Sequence, residues 1–512
     1  MKRILALILA VLLCLLPGCA EEDTVYVPTG NGLTWDDDSP VSTTENTTAP
    51  VDQELVLVYY PDIPLNPYLC TDFTNRTFLS LIYQSLFVVD SNYNTSPMLC
   101  SRYTMSDDMR SYTFYVEPAS FSDGSILTIN DVFASMQAAK LSKYYKGRFN
   151  HVDRIELTED GGIKFRLDTA YENFPMLMDI PIVKESEVEA NYPLGTGPYI
   201  FEQTHTGARL RLRTNWWCST TVLPLTATSI PLTVAESTNQ IRDSFEFSDV
   251  GLVRADPGSD AYVEYRCDYE LWDCENGIFL YTVCNTESPI FSYSDVRTAL
   301  THAIDRDAIV EEFYSGFAHS ATLPASPLSP YYNARLASRY EYDPEVFQKA
   351  VGNHSLAGTT LRILVNDADT LRLQIARAIG KQLAKYGFEI KMLEFTGNEY
   401  LYRLNILEFD LYVGQTMLSP NMDLSSFFRD GGALRYGGVT DAGIYALCLE
   451  TLANRGNYYN LHEMVMTDGR LCPLAFQVYS VHATRGLLTG LTPSRDNVFY
   501  YTIGKAMADI FE

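Results

Sequence analysis

The sequence predicts an α/β protein built as two lobes of different texture. Its 512 residues, 46% hydrophobic and 20% charged, exceed what one hydrophobic core organises, so two or three domains are expected. The stretch after Glu54 mixes strands and helices in an α+β manner, whereas Leu361 to Phe395 alternates strand, helix and strand.

Lys2 and Arg3 precede an apolar run from Ile4 to Leu16, which is shorter than the roughly 20 residues of a membrane-spanning helix. Residues 1–18 therefore read as a cleavable export signal. Leu16, Pro17, Gly18 and Cys19 resemble the lipobox of bacterial lipoproteins. The expectation is a lipid-modified Cys19 that ties the chain to the bilayer at the outer face of the bacterial cell membrane, or facing the periplasm. Residues 19–53 lack Lys, Arg and apolar periodicity, which predicts a disordered tether with a reach on the order of 30 Å.

From Glu54 the elements can be placed in order. Leu55 to Tyr60 is a buried-strand run closed by Pro61 and Pro64, and a helix is expected from Asn75 to Phe87. Ser111 to Val116 alternates as a strand, and Ser122 to Ser125 turns into a helix near Asn130. The segments Arg154 to Leu157 and Ile163 to Leu167, split by Gly161 and Gly162, form a hairpin. Leu361 to Val365 is a strand, Thr370 caps a helix carrying Leu371, Ile375, Ile379 and Leu383, and Phe388 to Phe395 resumes a strand after Gly387.

A net charge of −26 repels phosphate backbones and excludes nucleic acid as a partner. Besides Cys14 and Cys19 there are Cys70, Cys100, Cys218, Cys267, Cys274, Cys284, Cys448 and Cys472, with no C-x-x-C pair and Cys267 and Cys274 the nearest in sequence. The 7 histidines are scattered without H-E-x-x-H spacing, so neither metal nor cofactor is expected. The absence of a G-x-S-x-G elbow gives no ground for catalytic residues, and the chain is read as a non-enzyme.

Several blocks resemble one family. Tyr112 to Ala139 carries a Thr-Phe strand, a Phe-x-Asp-Gly turn, Leu-Thr, and an Asp-Val that opens a helix. Pro193 to Tyr199 reads PLGTGPY, and Leu210 to Trp217 ends in Asn-x-x-Trp. Leu280 to Gly316 carries Asn285, Val-Arg-x-Ala-Leu, Ala-Ile-Asp-Arg and Ile-Val, and Phe409 to Gly414 follows as a strand. Together these resemble the extracellular solute-binding proteins of family 5, receptors of peptide and nickel ABC importers. Residue by residue the motifs read as scaffold. Gly195 and Gly197 supply turn geometry, Asp131 and Asp305 are helix N-caps, and Arg297 sits in a structural ion pair.

The resemblance implies a two-lobed periplasmic-binding-protein type II fold with an extra α+β subdomain on lobe 1. Implied bounds are residues 54–270 for lobe 1, about 81–185 for the subdomain, 271–472 for lobe 2, and 473–512 for a return to lobe 1. It also implies a monomeric receptor that closes on a peptide or other small organic solute and docks on ABC permease subunits. Peptide-binding members place Gly-Trp and then an aspartate after the strand equivalent to Phe409 to Gly414. Here Gln415 holds the Trp position and Leu418 the Asp position, with Asp423 as a substitute. The amine anchor of a peptide is thus altered, and an oligosaccharide stacked on some of the 35 tyrosines and 25 phenylalanines is the alternative, with a lipoprotein enzyme or a sensor lacking a permease as the other classes. The cleft candidates are Tyr59, Tyr60, Asn66, Trp216, Trp217, Gln415, Thr416, Met417, Leu418 and Asp423.

Overall fold

Two long apolar strands, Tyr269–Cys284 and Leu471–Thr484, run antiparallel through the middle of an 11-stranded sheet. The computed structural model describes residues 54–205, 207–218, 227–255, 265–488, 491–495 and 498–500. Cys19, the signal, the tether and part of the final segment lie outside these described residues.

At a rise of about 3.4 Å per residue the long strands reach on the order of 50 Å, enough to belong to two lobes at once. The outer end of the pair carries, in order, Leu252–Ala255, Leu57–Val58, Ser229–Thr233, Gly207–Leu212 and Tyr199–Thr204. The inner end carries Leu411–Met417, Thr360–Asn366 and Glu389–Phe395, while Ala318–Ser320 pairs with the second long strand. Between the two ends the register slips from Glu275 to Phe279, and Gly277 adopts a φ of 69° that favours glycine.

The first strand keeps only Leu57–Val58 in the ladder, extended by Tyr59 N–H donating to the Thr233 carbonyl at 2.8 Å. Pro61 and Pro64 supply no donor and end the pairing. The helix expected from Asn75 to Phe87 does not form. Two single turns, Phe73–Arg76 and Leu79–Ile82, give way to short strands Gln84–Ser85 and Phe87–Val89. Every residue from 75 to 89 is buried, so there is no solvent face for an amphipathic helix, and the β-prone sequence becomes extended.

The stretch within 81–185 builds a separate antiparallel sheet in the order Cys100–Met105, Ser111–Val116, Ile163–Leu167, Val152–Leu157. Helix Ile129–Leu141 packs on it. Asp131 is not the N-cap of that helix. It occupies the third position and accepts the Thr128 N–H at 2.8 Å, which leaves Thr128 as the cap residue in a capping box. Gly195 and Gly197 also differ from expectation, since neither takes a positive φ. A Cβ on Gly195 would lie 2.0 Å from the Ile82 carbonyl oxygen, and one on Gly197 2.5 Å from that of Leu81, so close backbone approach demands glycine here.

In the other lobe the strand–helix–strand unit is present, with Thr360–Asn366 parallel to Glu389–Phe395 across helix Thr370–Ala384. Its cap is Asp369, whose carboxylate accepts the Arg372 N–H at 3.0 Å, one residue before the expected Thr370. Asp305 does cap Arg306–Tyr314. Val296, Ala299, Leu300, Ala303 and Ile304 join Ile375, Ile379 and Leu383 in one core. Arg297 donates to the Phe291 and Ser292 carbonyls at 2.9 and 3.1 Å, satisfying helix-entry backbone where an ion pair was expected. Cys267 and Cys274 are not joined to each other and are free thiols.

Candidate functional site

The strand Leu411–Met417 pairs with the first long strand up to its irregularity, with Gln415 opposite Leu280, Thr416 opposite Phe279 and Met417 opposite Ile278. All three residues are half-buried. Leu418 then closes onto the bulge, donating its N–H to the Gly277 carbonyl at 2.9 Å, while its own carbonyl accepts from Arg495. The Leu418 side chain is turned into the main core. The segment that follows therefore starts at the irregularity of the long strands and leads toward the extra sheet.

Asp423 lies on that segment with a side chain 5% exposed. One carboxylate oxygen accepts the Ser425 N–H at 2.9 Å, and the other accepts the Ser425 hydroxyl at 2.7 Å. Opposite it stands His151, from the turn before Val152–Leu157. Its Nε2 lies 3.2 Å from the Asp423 carboxylate and its Nδ1 lies 3.0 Å from that of Asp168. Burial alone would lower the imidazole pKa, but Asp423 and Asp168 more than offset it and hold it at about 9. Burial likewise works against the Asp423 carboxylate, and His151 with the Ser425 donors brings it below the ordinary range.

Further contacts join the same two regions. Asn150 donates to the Ser426 hydroxyl at 3.3 Å, and the Glu172 N–H donates to the Leu452 carbonyl at 2.9 Å. Tyr331 stacks on Tyr458 with ring centroids 4.2 Å apart and meets Tyr93 edge-on at 6.2 Å. Tyr93 and Ser326 both donate to the Glu275 carboxylate beside the bulge, and Tyr458 donates to the Asn421 carbonyl.

The remaining candidates fall elsewhere. Tyr59 is buried, with its hydroxyl 3.2 Å from that of Tyr192 and its ring on Phe201. The backbone of Tyr60 is clasped by Asn75. Asn66 is fully buried, and its amide donates to the Val188 and Ala190 carbonyls at 2.9 and 2.8 Å, so its hydrogen bonds are spent on holding a loop. Trp216 and Trp217 both donate to the Thr196 carbonyl, at 2.9 and 3.1 Å, and remain half-buried. His151, Asp168, Tyr93, Glu275, Tyr331 and Tyr458 carry no motif or spacing that singles them out in the sequence.

The family model for bacterial extracellular solute-binding proteins, family 5 (middle), matches residues 94–433, most of the chain. This chain belongs to that family. Among family 5 relatives, the oligopeptide-binding protein AppA of Bacillus subtilis (strain 168) is 23% identical over 363 residues, 64% of this chain and 66% of AppA. The chain thus spans just under two thirds of the length of that relative. HbpA2 from Haemophilus parasuis matches in structure with a TM-score of 0.73 at 19% identity, covering 88% of this chain and 100% of that one. The ABC transporter-associated periplasmic binding protein DppA from Helicobacter pylori, in complex with the peptide STSA, matches at a TM-score of 0.62 and 18% identity, covering 88% and 97%. These likenesses give the two-lobed periplasmic-binding-protein fold. Among the described residues no helix is long and apolar enough to cross a membrane.

Proposed function

We propose that this protein is an extracytoplasmic receptor that captures an oligopeptide between its lobes and presents it to the permease of an ABC importer. The single observation that carries the reading is the family 5 match over residues 94–433. The relatives named for oligopeptides and for a peptide complex support the solute class. We take the lobes as residues 54–270 with 473–512, and 271–472, with the extra subdomain near 81–185. The bulge between Glu275 and Phe279 in the long strands supports a hinge there, because a broken ladder bends more easily than a continuous one.

Within this reading Gln415, Thr416 and Met417 face the solute from the strand beside the bulge, with Trp216, Trp217 and Tyr60 at the margins. Tyr59, Asn66 and Leu418 act through packing. Lipid on Cys19 keeps the receptor near its permease and raises the local concentration there. An oligosaccharide is the second reading, since sugar rings pack on aromatic faces and the adjacent Trp216 and Trp217 are only half-buried. Calorimetric titration of the purified protein with pooled short peptides and, separately, with oligosaccharide pools tests both. Saturable heat with peptides alone supports the first reading; saturable heat with glycans alone replaces it with the second. Heat that continues through turnover of either pool would mark an enzyme and sink both.

A further inference from the structure

His151 is held between two carboxylates that belong to different parts of the molecule. Asp168 follows Ile163–Leu167 in the same antiparallel sheet, whereas Asp423 sits on the segment after Leu411–Met417, 272 residues away in sequence. Ser425 already donates its hydroxyl to Asp423, and both imidazole nitrogens face carboxylate oxygens. A neutral ring has one donor and one acceptor, and an acceptor nitrogen turned to a carboxylate is repelled by it. Nε2 also lies 3.1 Å from the Ser425 hydroxyl oxygen, whose single proton goes either to Asp423 or to a neutral ring. With that proton on Asp423, both ring nitrogens have to donate, and the doubly protonated imidazolium is the form that satisfies all three carboxylate contacts. His151 and Asp423 are both buried, with side chains 6% and 5% exposed, so removing the proton leaves a desolvated carboxylate facing a lone pair.

We propose that Asp168, His151 and Asp423 form a proton-operated latch between the extra sheet and the opposite lobe, so that lobe closure binds a proton and is released at alkaline pH. This rests on the reading of the protein as a receptor that closes on solute. In the open form His151 keeps Asp168 and loses Asp423, so the closed form holds the proton more tightly. Its pKa in the closed form is about 9, raised by both acids against the effect of burial. Closure is therefore fullest below the open-state pKa and is lost as pH rises through about 9. Each unit between open and closed values changes the closure constant about tenfold.

The neighbouring groups leave this transition to His151. Arg429 faces Asp168 and carries a charge of fixed sign. Tyr445, Tyr171 and Tyr458 and the Cys448 thiol lie near the acids, and burial pushes each of them above its ordinary value, away from the range where His151 titrates. Asp168 and Asp423 both stay ionised there, because His151 lowers them.

Small-angle scattering of the full-length protein, with no solute added, from about pH 7 to about pH 10 tests the latch. Expansion with a midpoint near 9, absent in both His151→Gln and Asp423→Asn, is the expected result. The same expansion in either variant, or no expansion in the native protein, overturns it. Should the variants fail to fold, carbon NMR of the His151 ring in the native protein decides. A ring that titrates with the expansion supports the latch, and one that titrates near the ordinary 6.5 refutes it. The capture reading fails separately, if neither peptide nor oligosaccharide pools give heat at neutral pH whatever the scattering shows.

Discussion

Arg148 and Asp179 meet in a two-pronged ion pair, Nε to Oδ1 at 3.0 Å and Nη2 to Oδ2 at 2.8 Å, with side chains 1% and 11% exposed. Arg148 comes from the short turn before His151, and Asp179 from the strand-bearing stretch that returns toward Pro181–Ile182. The pair thus ties down the very turn that presents His151. Removing the Asp179 carboxylate takes this charge-assisted contact from a buried guanidinium, which typically costs about 1.5–3 kcal/mol. Asp179→Asn is expected to lower the urea midpoint accordingly without changing its slope, because the exposed area on unfolding is unaltered.

Gly195 and Gly197 lie against the carbonyls of Ile82 and Leu81, with no room for a Cβ. The Gly197 N–H also donates to the Ile82 carbonyl at 2.9 Å, so the loop cannot withdraw without losing that bond. Gly195→Ala is expected to destabilise by roughly 1–3 kcal/mol, read as a fall in thermal midpoint. Ala at Gly124, which has open space around it but a φ of 86°, tests backbone strain instead of overlap and should cost less.

His462 is fully buried, and neither ring nitrogen has a hydrogen-bond partner among the described residues. Burial holds its pKa down at about 3, against 6.5 when exposed. A depressed value means that the folded state resists the proton which the unfolded state takes up. Stability is therefore intact above 6.5 and is lost as pH falls toward 3. His462→Leu should flatten this acid limb in chemical denaturation measured at a series of pH values, while leaving stability at neutral pH within about 1.5 kcal/mol.

The alternating unit from Leu361 to Phe395 was legible because Leu371, Ile375, Ile379 and Leu383 repeat at helical spacing and a glycine stops the helix. The stretch from Asn75 to Phe87 was not, since it is apolar on every side and periodicity then carries no information about helix or strand. The family blocks were readable for a related reason: they are local turns, caps and strand ends, set by a few neighbouring residues. The His151 and Asp423 contact is nonlocal and joins common residue types at no set spacing, so only the fold reveals it. Leu418 illustrates the limit of alignment by position, because its side chain belongs to the core and not to an open cleft.

Leu418→Asp would bury a carboxyl group among apolar neighbours, at a cost of roughly 2–7 kcal/mol even when it is neutral and more when it is ionised. A sharp loss of folded protein at neutral pH, partly recovered in acid where the carboxyl is neutral, is the expected outcome in circular dichroism. Full stability with a new preference for peptides bearing a free amino group would instead place this side chain against the solute.

The lipid proposed on Cys19 would set location and play no part in capture. Cys19→Ser is expected to move the protein from the membrane fraction to the soluble fraction on immunoblotting, with calorimetric binding unchanged. Retention in the membrane fraction would refute anchoring by that thiol.

Enclosure of an organic solute by the two lobes is open to native mass spectrometry of the protein purified without denaturation. The expected spectrum holds a fraction carrying a discrete non-covalent mass that fragments as a peptide and is lost on unfolding. A protein that carries only free metal, or no adduct even after incubation with peptide pools at neutral pH, would contradict it.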